Sequence, residues 1–489
     1  MDRRIIRSAA LIAALLVCLA QTWGQNARPV YTIQDCIDIA LKNNVDIKNA
    51  QANSEGARLA SKNFFGQRLP TVSLNGTQAF NAGYTIDPFT NQFINQNIRS
   101  NNFSLFSQVV LFQGNSINNN TNRLRAAARG ADYNFAVTRN QVTLDVAQFY
   151  TALLTAYKVE SATAARLQRV RTDRDRLRIR VEAQAAAKSD LADLDAQVAT
   201  EELNLSRAQG DIVRQKLLLA QRMLIPTTDF DIAIPQIENL LAEPADTNVE
   251  RVYASALEIL PEVKLANTNV EAAQYAEKAA RGFFYPTITA QGSIVTGYSS
   301  ARTKVVPVNN TGGGPVLPSA IYLRDTAGQV FQVPTALFQN QRTFNSVDYP
   351  FRNQLNDNIN RGLTLQASIP ILNRFTAKTN TDNARIQRIQ AQNEVQRTRQ
   401  NIYNAVALAI TEYKIALANL KSADNQLKSL NISLQAAKTR YDAGAGSSFD
   451  LLAQQSLLAA SQANLVQTQF NVLFRKLVID FYQGRPLKL

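Results

Sequence analysis

The sequence predicts a mainly α fold with β segments: a tandem duplication in which long coiled-coil helices form a tunnel and short strands contribute to a transmembrane β-barrel. Three observations carry this expectation. The chain repeats itself, its prolines leave long stretches empty, and four segments alternate apolar with polar residues.

Residues 40–76 and 256–292 align without a gap at an offset of 216, sharing Ala40/Ala256, Lys48/Lys264, Asn53/Asn269, Gly66/Gly282, Pro70/Pro286 and Gly76/Gly292. A second ungapped match runs at an offset of 260 and pairs Leu105 with Leu365, Arg125 with Arg385, Thr151 with Thr411, Arg180 with Arg440, Asp190 with Asp450 and Leu191 with Leu451. The difference between the offsets, 44 residues, is a longer loop in the second copy. Each copy therefore reads as helix, strand, strand, long helices, and repetition of this kind sets architecture before any local reading does.

No proline occurs between Pro88 and Pro226 or between Pro370 and Pro486, and Gly130 is the only glycine from Asn115 to Ala183. Such stretches permit extended helices. At 1.5 Å per residue they reach on the order of 100 Å. Apolar residues recur at three- and four-residue spacing, as in Val142, Val146, Phe149, Leu153 and Ala156. The stripes are narrow, which suits helices packed side by side along a wet channel. Taken alone, these helices fit a periplasmic coiled-coil scaffold or adaptor without a barrel equally well.

The strand segments favour the barrel. Leu363, Leu365, Ala367, Ile369 and Ile371 alternate with Thr364, Gln366, Ser368 and Pro370, and Ile288, Ala290 and Ile294 with Thr287, Thr289, Gln291 and Ser293. Period two with one apolar face is a strand signal. The strands are expected near 71–80, 103–112, 286–298 and 362–372, each about ten residues long, as a tilted membrane strand requires. Four strands cannot close a barrel, and an open edge leaves backbone groups unsatisfied in lipid, so symmetric association is implied.

Residues 1–24 read as a secretory signal: Arg3, Arg4 and Arg7, an apolar run from Ala9 to Ala20, and small residues before Gln25. Cys18 lacks the small preceding residue a lipidation site wants. Once the signal is removed, Cys36 is the only cysteine and is expected to be a buried structural thiol. The rest divides into a first repeat at 25–225, a linker at 226–250 and a second repeat at 251–489.

The chain has no histidine, which removes imidazole acid–base catalysis, Ser-His triads and most zinc sites. Gly312, Gly313 and Gly314 lack the lysine and helix start of a phosphate cradle. The expectation is a protein that performs no chemistry and holds no metal or cofactor. The only tryptophan, Trp23, falls in the signal, so an aromatic belt would use Phe80, Tyr84, Phe89, Phe93 or Tyr298. Net charge is +14, much of it in Arg166, Arg169, Arg171, Arg174, Arg176, Arg178 and Arg180. Without stacking aromatics nearby, that run reads as a solvated, ion-paired helix face or a surface for a partner or solute, and not as a nucleic-acid site.

The duplication, the strand running into a long helix at 365–372, and the turn Tyr441, Asp442, Ala443, Gly444 leading to Asp450, Leu451 and Leu452 resemble the TolC family of outer-membrane efflux proteins. The resemblance covers essentially the whole mature chain. It implies a homotrimer in the outer membrane, with four strands per chain in one twelve-stranded barrel and the helices forming a periplasmic tunnel. It further implies a passive exit duct for a tripartite efflux pump or type I secretion system, meeting a membrane-fusion adaptor and an inner-membrane pump. By the same resemblance, adaptor-docking tips fall at 183–189 and 443–449, marked by Ala183, Lys188, Tyr441, Gly444 and Gly446, and Asp190, Asp193 and Asp450 line the aperture. The bland alternative for Asp190 and Asp193 is ordinary helix N-terminal charge. Two departures stand out: Ala453 occupies the position equivalent to Asp193, and Gly446 stands where the family often has a basic residue.

Overall fold

The computed structural model describes residues 28–86, 91–95, 97–226, 228–235, 244–308, 321–333 and 344–487. The expected signal with Cys18 and Trp23, part of the linker, Phe89 and the run Gly312 to Gly314 lie outside the described residues. The first copy forms α1 (Ile33–Asn43), α2 (Val45–Asn63), β1 (Thr71–Asn81), β2 (Ile98–Gln113), α3 (Ser116–Glu182) and α4 (Lys188–Met223). The second forms α5 (Val249–Ile259), α6 (Pro261–Arg281), β3 (Thr287–Ser299), β4 (Asn360–Ser368), α7 (Thr376–Asp442) and α8 (Ser448–Tyr482). Both α3 and α7 have 67 residues, about 100 Å of helix.

Local chemistry sets the boundaries. Thr32 caps α1 in a capping box, its hydroxyl accepting from Asp35 N at 3.2 Å while the Asp35 carboxylate accepts from Thr32 N at 2.9 Å; Asn248 caps α5 by accepting from Arg251 N. At each strand-to-helix corner two consecutive residues are left-handed, Gly114 and Asn115 (φ 52° and 59°) in the first copy, Arg374 and Phe375 (54° and 61°) in the second. Glycine is required at the first corner, where a Cβ on Gly114 would stand 2.3 Å from the Gly282 carbonyl oxygen.

The described residues divide into two compact units, one of those up to 62, at 122–276 and from 383 on, the other of those at 63–121 and 277–382. The first holds two cores built alike. In one, Cys36 and Ala40 of α1 meet Val142, Val146 and Leu153 of α3; in the other, Val252 and Ala256 of α5 meet Ile402, Val406 and Tyr413 of α7. These residues correspond one to one through the repeat. Cys36 takes the place of a valine and is wholly buried, with its thiol pushed up to about 12 by desolvation, then by Asp35.

The second unit holds one antiparallel sheet of four strands in the order β4-β3-β2-β1. Its register puts Leu74, Leu105, Ile294 and Arg361 in one row and Val72, Ser107, Gly292 and Leu363 in the next row on the same face, while Ser73, Phe106, Ser293 and Gly362 occupy the other face. One face is thus mainly apolar and the other mainly polar, with Leu363, Leu365 and Ala367 opposed to Thr364, Gln366 and Ser368. From Ile288 to Ile294 the apolar band of β3 spans roughly 20 Å at about 3.3 Å per residue, of the order of the lipid-facing height of outer-membrane barrels. No helix among the described residues is long and apolar enough to cross a membrane. The fourth strand is shorter than expected. It ends at Ser368, because Pro370 has no N–H to donate, so Ile369 and Ile371 lie past the ladder, exposed at 66% and 95%. Of the belt candidates, Phe80, Tyr84 and Phe93 are exposed, while Tyr298 packs on Phe351 at 5.1 Å with the Arg99 guanidinium 6.0 Å from its ring.

Candidate functional site: the two hairpin tips

The paired helices turn at Ala183–Ala187 and Ala443–Ser447, and the two turns have the same hydrogen bonds. In the first, Ala183 N donates to Ile179 O, Gln184 N to Val181 O and Ala185 N to Arg180 O; in the second, Ala443 N donates to Thr439 O, Gly444 N to Tyr441 O and Ala445 N to Arg440 O. Both close through a left-handed residue, Gln184 at φ 59° and Gly444 at φ 72°. Gly444 adopts this freely, whereas Gln184 costs roughly 1 kcal/mol. Gly446 lies where the chain folds back on its own helix, its ideal Cβ 3.1 Å from Tyr441 N.

The helices that leave the turns start differently. Ser447 caps α8, its hydroxyl accepting from Asp450 N at 3.1 Å, whereas Ala187 gives α4 no side-chain cap. Asp190 and Asp450 each occupy the first turn after the tip, where a carboxylate is favoured by the helix dipole. Asp190 is half-buried, Asp193 and Asp450 are exposed, and Ala183 and Lys188 are exposed at the tip itself. Asp190 and Asp193 share one stretch of α4; Asp450 belongs to the other hairpin.

Between the two tips runs a groove of about 370 Å³. Leu177, Leu434 and Leu452 line it together with Tyr441, Arg180 and Lys438. Of its lining residues from α7 and α8, Tyr441, Asp442, Leu451 and Leu452 belong to the turn motif read from the sequence, whereas Leu434, Lys438 and Gln455 escaped that reading. Three of the seven arginines of the basic run pair across the first hairpin: Arg166 with Glu201 at 2.8 Å, Arg171 with Glu202 at 2.6 Å and Arg174 with Asp195 at 3.3 Å. The first of these is buried, with side chains 13% and 2% exposed. Desolvation pulls Arg166 below the usual guanidinium range, against the attraction of Glu201.

The chain thus combines long helices that turn at paired tips with a four-stranded sheet that has one mainly apolar face. The chain superposes on the channel CusC with a TM-score of 0.72 at 16% identity, over 95% of this chain and 96% of that one. VceC of Vibrio cholerae matches at 0.65 and 15% identity over 93% and 96% of the two chains, and the open-state MtrE channel of Neisseria gonorrhoeae at 0.68 and 17% over 93% and 89%. Residues 36–223 and 252–475 match the outer membrane efflux protein family, and the chain belongs to that family. No curated protein sequence matches it. The resemblance to outer-membrane efflux proteins is thereby borne out: the chain is an outer membrane efflux protein.

Proposed function

We propose that three copies form one passive duct, each giving four strands to a twelve-stranded barrel, through which a tripartite efflux system discharges its cargo. The observation that carries this is the sheet: four strands, a mainly apolar face, and, among the described residues, two open edges that lipid does not tolerate. A periplasmic scaffold has no use for such a face. The energy comes from an inner-membrane pump, and a periplasmic adaptor docks at the tips, the groove between them offering apolar side chains rimmed by Arg180 and Lys438. Asp190, Asp193 and Asp450 line the periplasmic aperture, repeated three times around the axis.

Two experiments test this reading. Leu365→Arg is expected to destabilise the assembled channel by about 2–4 kcal/mol near mid-bilayer, and Gln366→Arg by much less, since only the first puts charge in lipid; equal tolerance in heat-modifiability assays would remove the membrane sheet. In planar bilayers at low salt, the wild-type aperture is expected to favour cations and to be blocked by multivalent ones, and the triple Asp→Asn variant at 190, 193 and 450 to lose much of both. Unchanged selectivity would leave these aspartates as solvated helix-start residues.

A further inference from the structure

A cavity of about 430 Å³ opens where the end of α8 meets the start of α6, with α3 and α7 as its other walls. Its volume is that of a small-molecule site, and its charge has one sign. Glu262 and Glu394 line it, and among the described residues no lysine or arginine does. Glu394 is already paired with Arg397. Glu262 is not: its Oε2 is buried and accepts no hydrogen bond among the described residues. A carboxylate in the first turn of a helix is ordinarily favoured by the dipole. Here desolvation nevertheless raises Glu262 above the usual glutamate range, against a hydrogen bond from its own backbone N–H. The Tyr482 hydroxyl beside it is pushed up by burial and then by Glu262.

The repeat shows how the same junction is built in the first copy. Carried back by 260 residues, Tyr482 becomes Arg222 and Ala405 becomes Asp145; carried back by 216, Glu262 becomes Asp46. The Arg222 guanidinium reaches Asp145 at 3.4 Å and stands 5.7 Å from the centre of the Phe149 ring. The first copy thus holds a cation of its own, between a carboxylate and an aromatic ring. The second copy has an acid at the same place, but a tyrosine for the arginine, an alanine for its aspartate, and a cavity beside them.

We propose that this cavity binds a small organic cation, a protonated amine on an apolar body. The ammonium donates to Glu262 Oε2, and the body lies against Phe481, Tyr482, Leu144 and Leu265, where aromatic faces also favour positive charge. Asn140 and Asn401 offer amide oxygens to the remaining N–H groups. A metal ion asks for several hard oxygen ligands, and no group of three acids, cysteines or histidines stands together among the described residues. An anion would meet two carboxylates. Every wall belongs to one chain, so the site does not depend on how copies assemble.

The test is calorimetric titration of the full-length protein in detergent with 2-phenylethylamine, the detergent alone serving as blank. 2-Phenylethanol and phenylacetate, titrated alongside, keep the body and change the charge. Saturable binding of the amine at one site per chain is expected, with little or none of the other two. No saturable binding, or equal binding of the alcohol or the acid, would overturn the proposal. Glu262→Gln keeps the shape and removes the charge, and is expected to weaken the amine about tenfold or more; Glu394→Gln is expected to leave it nearly unchanged. The reverse order would overturn the assignment to Glu262. Ala405→Asp with Tyr482→Arg installs the first copy's pair and is expected to abolish binding while Glu262 stays in place. Helix content and mass in detergent check that each variant assembles. Should Glu262→Gln not assemble, the double variant decides, and amine binding retained there would overturn the site.

Discussion

The first hairpin, α3 with α4, and the second, α7 with α8, share the three backbone hydrogen bonds that close the turn, yet near the tips they are held together by different chemistry. In the first, Arg222 with Asp145 and, nearer the tip, Arg166 with Glu201, Arg171 with Glu202 and Arg174 with Asp195 bridge the helices as ion pairs; the second has a bridging pair of its own far from the tip, Arg475 with Glu412. At the positions equivalent to the three pairs nearer the tip, the second has Gln426 with Ser461, Asn431 with Gln462 and Leu434 with Gln455. The first also buries Leu167, Val170, Leu177, Leu194 and Val198 as a cluster, where the second has Ala437 for Leu177 and Gln454 for Leu194. In their place, the Ser433 hydroxyl hydrogen-bonds to the Gln454 side chain across the second hairpin. Duplication has preserved the backbone solution of the turn while the packing above it diverged, so the two tips are predicted to open at different free energies.

The largest effect that could break this contrast comes from Glu201. Glu201→Ala leaves the Arg166 guanidinium buried without its counter-charge, which costs about 3–5 kcal/mol. Hydrogen exchange across α4 should then approach the rate seen across α8; an α4 that keeps its protection would mean the ion pair does not hold the hairpin. Leu177→Ala makes the first hairpin match the second at one position. Leu177 is buried, and removing such a side chain costs about 2–5 kcal/mol, depending on how far the neighbours close in. Urea-dependent exchange near the tip measures it. Ser461, at the position of Glu201, is the smallest case: its side chain is buried and its hydroxyl has no partner. Ser461→Ala removes a desolvated polar group and should change stability by about 0–1 kcal/mol in the favourable direction. A loss of more than that would show the hydroxyl to be satisfied and the second hairpin to be more tightly bonded than its side chains suggest.

The architecture was legible because it rests on periodicity and repetition, both one-dimensional properties. The absence of proline from 89–225 left room for α3 and α4 together. The alternation at Leu363 to Ser368 set which residues share a sheet face. The end of β4 was misplaced because alternation continued through Ile369 and Ile371 while the hydrogen-bond ladder cannot continue past Pro370. The tip positions followed from the resemblance and the coincidence of Asp190 with Asp450 under the offset of 260. The groove did not follow, since it joins Arg180 to Lys438 and Leu177 to Leu434, residues more than 250 positions apart with no periodicity linking them. The interhelical pairing of the arginine run was hidden for a related reason. Arg171 and Arg174 have acids close by in sequence, but the partners across the hairpin, Glu202 and Asp195, are set by the length of the turn.

The two bare edges of the sheet also set a constraint on biogenesis. A lone copy carries a row of unpaired N–H and C=O groups along both β1 and β4, and the hydrocarbon interior offers them no solvent. On the proposed trimeric barrel, the strands of one copy have no stable inserted state, and meeting of the copies is coupled to insertion. Integration then becomes a collision-limited process whose rate rises with the concentration of chains awaiting it. A cell making little of this protein would install its channels disproportionately slowly, and would hold the remainder in a form that exposes edges to wrong partners.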